Sequence, residues 1–353
     1  MCSKISLGDE KLDEIIEDIK EKNLSRNSFP KLIVGTGLSA SFGVPGMSKL
    51  STQLEKNLSR HPDSTIQDLW LKKADDVKQY GLEEGLKSLA PTEERLVEEI
   101  RKVTAAFILQ EEEKLHKQIA NADSGFAKLL KYLKETCSVN YRILDIMTPN
   151  YDRIIEIICD SLGIGVITGF EGEVYESFQP WVLKNPEKYY NTKRNFYVRL
   201  FKPHGSINWI RKNEIEYLSN DYEVLKKNNE YIEIITPGSS KYEVGLTNNT
   251  FRTMREDFNE RISDVQKSFS LLIYGYGFND EHFNTVLFQN SNMNMLILSY
   301  EVKGEILDKA INNSHMTIFY QQDKKNYMIY KSEKYEVDVA LWDIDKFVET
   351  IIG

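Results

Sequence analysis

Cysteine is nearly missing from this chain. Cys2, Cys137 and Cys159 are scattered through 353 residues, and no Cys-x-x-Cys pair occurs. That pattern argues against a structural zinc site and a disulfide framework, so no metal is expected. It suits a reducing compartment, and a cytoplasmic location is expected. Long apolar runs are missing too. None approaches the roughly 20 residues that span a bilayer. The opening Met-Cys-Ser-Lys-Ile-Ser-Leu-Gly-Asp-Glu holds no apolar signal core. No direct membrane contact is expected. There is no surplus of positive charge: the formal net charge is -9. This argues against the whole surface gripping nucleic acid, while leaving room for a local basic patch. No internal repeat and no low-complexity linker is found. What is present is ordinary for a globular chain, with 41% hydrophobic and 28% charged residues. The length allows one large or two ordinary domains.

The most informative stretch is 30–46. Leu32, Ile33 and Val34 form a short apolar run, as expected of a strand buried on both faces. Gly35, Gly37 and Ala40 follow with the spacing G-x-G-x-x-A. In a dinucleotide-binding turn, Gly35 allows the tight bend and Gly37 removes a side chain that would block the pyrophosphate. Ala40 lets the next helix sit close to the sheet, and that helix offers free N–H groups at its start. Thr36 and Ser39 add hydroxyl donors. Gly-rich turns are also common punctuation, so the later stretches matter. Val44-Pro45-Gly46 suits a type II turn and forms an expected lip over the site.

Residues 9–22 read as an amphipathic helix, with Leu12, Ile15, Ile16 and Ile19 on one face. Residues 50–135 read as a helical block, with Thr92 as one N-cap. Its run Glu111-Glu112-Glu113 reads as a solvated face. A second strand–loop–helix unit follows: Ile143, Leu144, Ile146 and Met147, then Pro149-Asn150-Tyr151-Asp152, then Ile154, Ile155, Ile158 and Leu162. Asn150 and Asp152 thus fall at the carboxyl end of a strand, where open α/β sheets bind ligands. They equally suit a helix cap and a dipole partner. Residues 164–200 hold strand-like Val166-Ile167-Thr168 and then read as an irregular, Tyr-, Trp- and Lys-rich excursion. His204 follows a strand, beside Gly205 in a loop, and suits a general base near neutral pH. Residues 231–236 alternate like a strand. Phe251, Met254, Phe258, Ile262 and Val265 line a helix. Phe269–Tyr274 is another buried strand, ending in Gly275-Tyr276-Gly277 with Asp280 three residues on, and Met295–Ser299 follows as a further strand. A last helix carries Ile344, Phe347, Val348 and Ile351.

Four stretches together resemble the sirtuin-like family, in the branch found in bacterial anti-phage defence systems. They are Gly35-Thr36-Gly37-Leu38-Ser39 with Gly43-Val44-Pro45 behind it, Pro149-Asn150-Tyr151-Asp152, Lys202-Pro203-His204-Gly205-Ser206, and Tyr274-Gly275-Tyr276-Gly277-Phe278-Asn279-Asp280. The resemblance runs from about residue 30 to about 300, and the tail at Trp342–Phe347 is similar too. It implies an α/β fold: a Rossmann-like parallel sheet with an inserted helical module. The expected division is an N-terminal helix at 1–29, the NAD-binding domain at 30–49 and 136–353, and the insertion at 50–135. It further implies NAD as substrate, without zinc. Asn150 would position the nicotinamide ribose or a water, and His204 would be the base. Gly35, Thr36, Gly37, Ser39, Pro45, Asp152, Gly275, Tyr276 and Ser299 would contact the dinucleotide.

The departures bear on activity. Sirtuin deacylases carry four zinc cysteines, Asp-Phe-Arg after Gly-x-Pro, and Gln before the Asn. This chain has no such cysteines, Gly46-Met47-Ser48, and Pro149. The resemblance therefore implies NAD hydrolysis to nicotinamide and ADP-ribose more than deacylation. It also implies a homo-oligomer, and a partner protein such as a DNA-translocating ATPase, with the helical block as the place for contacts. A non-catalytic NAD- or ADP-ribose-binding subunit and a protein deacylase are the alternatives. A nuclease ranks last, for want of a carboxylate cluster.

Overall fold

Apolar residues along the central strands alternate between two separate cores, which puts the sheet between two helical layers. In the computed structural model, Leu32, Val34, Leu272, Leu296 and Leu298 enter one core, and Ile33, Leu271, Ile273, Met295 and Ile297 enter the other. The structure describes residues 3–87, 89, 93–121, 123–137, 142–189, 194–238, 248–264 and 269–353. Cys2, Thr92 and Val265 lie outside them.

The strands in chain order are β1 (Ser3–Ile5), β2 (Pro30–Val34), β3 (Ile143–Met147), β4 (Gly165–Ile167), β5 (Phe170–Glu171), β6 (Glu176–Phe178), β7 (Tyr197–Phe201), β8 (Gly205–Lys212), β9 (Ile215–Leu218), β10 (Ile232–Ile234), β11 (Ser270–Tyr274), β12 (Met295–Leu298), β13 (Met316–Gln322), β14 (Lys325–Tyr330) and β15 (Glu333–Val337). Ten of them form one sheet in the order β1-β15-β14-β13-β12-β11-β2-β3-β7-β4. From β4 across to β13 every pairing is parallel, while β14 runs against both of its neighbours. This is a Rossmann-like mixed α/β fold. The chain leaves β2 toward β3 on one side and later returns to β11 on the other. The strand order therefore reverses at β2, and the crevice where such sheets bind ligands opens there.

The helices of the first half are α1 (Glu10–Ile19), α2 (Thr36–Ser41), α3 (Met47–Leu58), α4 (Ser64–Tyr80), α5 (Leu82–Gly85), α6 (Glu94–Ile119), α7 (Gly125–Thr136) and α8 (Ile154–Ser161). α3 to α6 share a core of their own around Leu54, Trp70, Leu86 and Ile100. α7 does not join it; Phe126, Leu129, Leu130 and Leu133 pack with the sheet, as do α1, α8 and Ile344, Phe347 and Ile351 near the end. Helix Asn249–Ser263 covers the opposite face.

Several local expectations differ. The strand expected at 166–168 is present as β4, and the one leading to His204 as β7, both in the large sheet. The described residues between them are not an irregular excursion: they supply β5 and β6 to a second, antiparallel sheet of order β10-β8-β9-β6-β5. The short strands, broken by Gly169 and Gly172, hide any alternation in the sequence. β1 was not foreseen either; it pairs in parallel with β15 at the sheet edge. Gly46 has φ -78°, so Val44-Pro45-Gly46 is no type II turn; the residue instead starts α3.

The run Glu111-Glu112-Glu113 is a solvated face except at its middle residue. Glu112 is 0% exposed. Its carboxylate accepts from Arg153 Nε at 2.9 Å and meets Nη2 at 2.7 Å, and the Arg153 backbone N–H also donates to it. One buried ion pair thus bolts α6 to the start of α8. Removing one partner leaves the other charge buried alone, at a cost of about 3–5 kcal/mol. Glu112→Ala should lower the unfolding free energy by that amount in urea titration. Glu113→Ala, which loses only an exposed pair with Lys226, should change it by less than about 1 kcal/mol.

Candidate active site

Two glycine loops touch backbone to backbone at the sheet reversal. The Gly35 N–H donates to the Tyr274 carbonyl at 2.8 Å, and the Gly37 N–H to the Gly275 carbonyl at 3.0 Å. A Cβ on Gly37 would lie 2.5 Å from Gly275 Cα, and Gly275 itself has φ +58°. Gly37 therefore makes room for the neighbouring loop, where the sequence suggested room for a phosphate. Neither Gly35, Gly37 nor Gly275 lines the cleft above them.

That cleft encloses about 270 Å³. Thr36, Ser39, Pro45, Asn150, Asp152, His204 and Tyr276 all line it. Ser299 does not. It lies one strand over at the same edge, and its hydroxyl donates to the Glu301 carbonyl at 2.8 Å. A groove of about 1090 Å³ between α7 and the last helix is larger but contains none of the expected site residues.

Asn150 is 6% exposed and ties the loops together. Its Nδ2 donates to the Gly35 carbonyl at 2.9 Å and to Ser39 Oγ at 3.1 Å, and Ser39 Oγ donates on to Asp152 Oδ2 at 2.6 Å. Both acceptors need the amine side of the amide, which fixes its orientation. Asn150 Oδ1 is then a buried acceptor with no partner. The Tyr276 hydroxyl is buried and unpartnered as well. Buried polar groups are normally satisfied, so two orphans in one cleft wall mark a place for a polar ligand. Asn150 is not a helix cap, since its side chain serves other loops. Asp152, one residue before the Arg153 cap position, accepts from the Ile154 N–H through Oδ1 at 3.3 Å.

His204 sits in the tight turn that carries the chain from β7 of the large sheet to β8 of the small one. The Gly205 N–H closes that turn on the Lys202 carbonyl at 3.0 Å. The imidazole is buried, with Nε2 3.5 Å from Asp280 Oδ2. Asp280 Oδ1 meanwhile caps helix Glu281–Leu287 at the Phe283 N–H, 3.0 Å away. Burial works against the Asp280 charge, but the His204 contact and that N–H outweigh it and hold its pKa at about 2. Asp152 goes the other way. Burial lifts its carboxyl to about 6, with Glu112 adding to the rise against the pull of Lys202 and Ser39.

The sequence alone did not assign Asp280 a role, although it stands three residues past Gly277. Nor did it point to Leu50, Glu83 and Ile108, which α3, α5 and α6 bring to the cleft wall. No sequence signal links those helices to the site. Among the described residues no group of three or more His, Cys, Asp or Glu is placed to hold a metal ion. No helix among them is long and apolar enough to cross a membrane.

A mostly parallel sheet, a strand-order reversal and a cleft at the carboxyl edge are the arrangement in which open α/β sheets bind ligands. Residues 145–296 match the family model of the SIR2-like domain. That match supports the resemblance to the sirtuin-like family, and SIR2-like domains use NAD. The match includes Asn150, Asp152, His204, Tyr276 and Asp280; Gly35–Ser39 lie outside it and reach the site through the fold. No curated protein matches the chain.

Asp280 gives a pH test. Its folded pKa lies below the unfolded value of roughly 4, so it stabilises the fold above that value and loses this contribution as pH falls toward 2. Asp280→Asn should cost about 2 kcal/mol at pH 6. In urea titrations the gap to wild type should narrow steadily from pH 4 downward. A gap that stays constant to pH 3 would refute the charged Asp280–His204 contact.

Proposed function

We propose that this chain is an NAD+ glycohydrolase, cleaving NAD+ to nicotinamide and ADP-ribose. The observation that carries the reading is the meeting of His204, backed by Asp280, with the unpartnered Oδ1 of Asn150 in one cleft of a SIR2-like domain. The bond between C1′ of the ribose and the nicotinamide nitrogen breaks, and its electron pair leaves with the ring. The ring departs neutral, so no general acid is required. Positive charge develops on the ribose as an oxocarbenium-like ion. Water adds to C1′ and gives up a proton.

In this reading Asn150 Oδ1 orients the water or a ribose hydroxyl. Asp280 beside Nε2 orients the imidazole, and His204 takes the proton. An ionised Asp152 stands near the cationic ring. Thr36, Ser39, Pro45 and Tyr276 hold the nicotinamide riboside half, Gly35, Gly37 and Gly275 shape the floor, and Ser299 is a further contact at the rim. The cleft volume sits just below the ~300–1,000 Å³ of ligand pockets, which suits one half of the dinucleotide enclosed and the other along the edge. A regulator that only binds NAD would keep the glycine loops but would need neither Asn150 nor His204. Deacylation is disfavoured by the missing zinc cysteines. The resemblance to the defence branch supports a further reading: an effector subunit of an anti-phage complex, homo-oligomeric and paired with a DNA-translocating ATPase.

NAD loss by the purified chain, alone and with the product of its neighbouring gene, tests the activity. His204→Ala should reduce turnover by about 10²–10⁴-fold and also lower the unfolding midpoint, because it removes the contact that favours the Asp280 charge. Asn150→Ala should abolish turnover and also lower stability, because it releases Gly35 and Ser39. Wild-type turnover in His204→Ala would reject the assignment, and formation of O-acetyl-ADP-ribose would point to deacylation.

A further inference from the structure

The start of α8 separates two cavities. Asp152 faces the cleft described above. Arg153 faces a second one of about 580 Å³, shared with Glu156, Asn208 and Tyr222. Its size lies within the ~300–1,000 Å³ range of small-molecule sites. The cations in its wall already have partners. Arg153 gives Nε to Glu112 and Nη1 to the Asn220 carbonyl, and Arg194 gives Nη2 to Asp160.

Two acceptors in the same wall do not. Glu156 accepts from Lys202 Nζ through Oε1 at 3.1 Å, and its Oε2 is buried with no partner. Asn208 is 2% exposed, and its Nδ2 donates to Asn220 Oδ1 at 3.0 Å. Asn220 Oδ1 also accepts from Arg153 Nη1 at 3.4 Å. Asn208 must therefore present its amine there, which leaves its Oδ1 as a second buried orphan. Unmade hydrogen bonds at buried acceptors are costly, more so at a carboxylate. With the wall's arginines already engaged, the complement is a donor that carries positive charge.

We propose that this cavity binds a small organic cation, an amine or a guanidine, through Glu156 Oε2 and Asn208 Oδ1, and that its occupancy adjusts the first cleft through Lys202. Lys202 is 0% exposed. Its ammonium bonds Glu156 on one side and the Asp152 backbone carbonyl on the other. A cation seated on Oε2 shares the Glu156 charge, loosens its hold on Lys202, and so shifts the loop that carries Asp152. The coupling rests on the NAD reading above; the binding does not.

Calorimetry of the whole chain with putrescine, in the absence of NAD, tests the site. Saturable binding to one site is expected. Glu156→Gln keeps an oxygen for Lys202 but turns an N–H donor into the cavity, and should weaken binding by about tenfold or more. Asn208→Leu, checked for an intact unfolding transition, should weaken it likewise. No saturable heat, or unchanged binding in Glu156→Gln, would overturn the site. Saturating putrescine should change the Kd for NAD by about fivefold or more in wild type and not in Glu156→Gln. An unchanged Kd in wild type would overturn the coupling. Putrescine binding retained by a chain that binds no NAD at all would count against the NAD reading and the coupling, and leave the cation site standing.

Discussion

Two loops can sit on one another at the sheet reversal only because neither carries a side chain where they touch. The loops after β2 and β11 meet at Gly35, Gly37 and Gly275, with the bond from Gly37 N–H to the Gly275 carbonyl holding them. Any Cβ at Gly37 would strike backbone, which cannot yield as a flexible side chain can. This contact brings the Gly35 carbonyl within reach of Asn150 on a third loop. Asn150 in turn orders Ser39, and Ser39 orders Asp152. The cleft is thus a stack of three loop ends, and its polar groups are held by one another before any ligand arrives.

Buried charge does the remaining positioning. Arg153 and Glu112 join α6 to α8, and Lys202 joins the turn before His204 to the loop of Asp152. Asp145 is buried in the strand just before Asn150 and is met by Arg199 at 2.6 Å and Lys31 at 3.4 Å. Burial opposes the charge on Asp145, and Arg199 and Lys31 overcome it, so its pKa falls. These pairs clamp adjacent strands and helices around the site. Such pairs contribute little net stability but are costly to break, which makes them better suited to fixing geometry than to holding the fold together.

The helices between β2 and β3 are more than an appendage. Among them α3 to α6 form a core of their own, yet Leu50, Glu83 and Ile108 reach the cleft wall. The small antiparallel sheet is likewise joined to the site, since the chain passes from one sheet to the other through the His204 turn. The shape of the cleft therefore depends on parts of the chain that carry none of the recognisable motifs.

The sequence by itself determined the buried strands, the α/β class, the glycine loops, and the residue types at the strand ends, because those depend on short-range pattern: apolar runs, glycine spacing and the polar residues that follow them. Asn150, Asp152 and His204 were legible for that reason. Only the tertiary structure decided what those residues do to one another. Gly37 is small because Gly275 lies against it, a neighbour far along the chain. Glu112 is buried because Arg153 arrives from another element, although its acidic neighbours made it read as exposed. Asp280 acts on His204, and the orphaned oxygens of Asn150, Glu156 and Asn208 exist only once every other partner has been taken. Each of these is a fact about long-range packing, and the free energy of a polar group depends on what surrounds it in space, which local sequence does not encode.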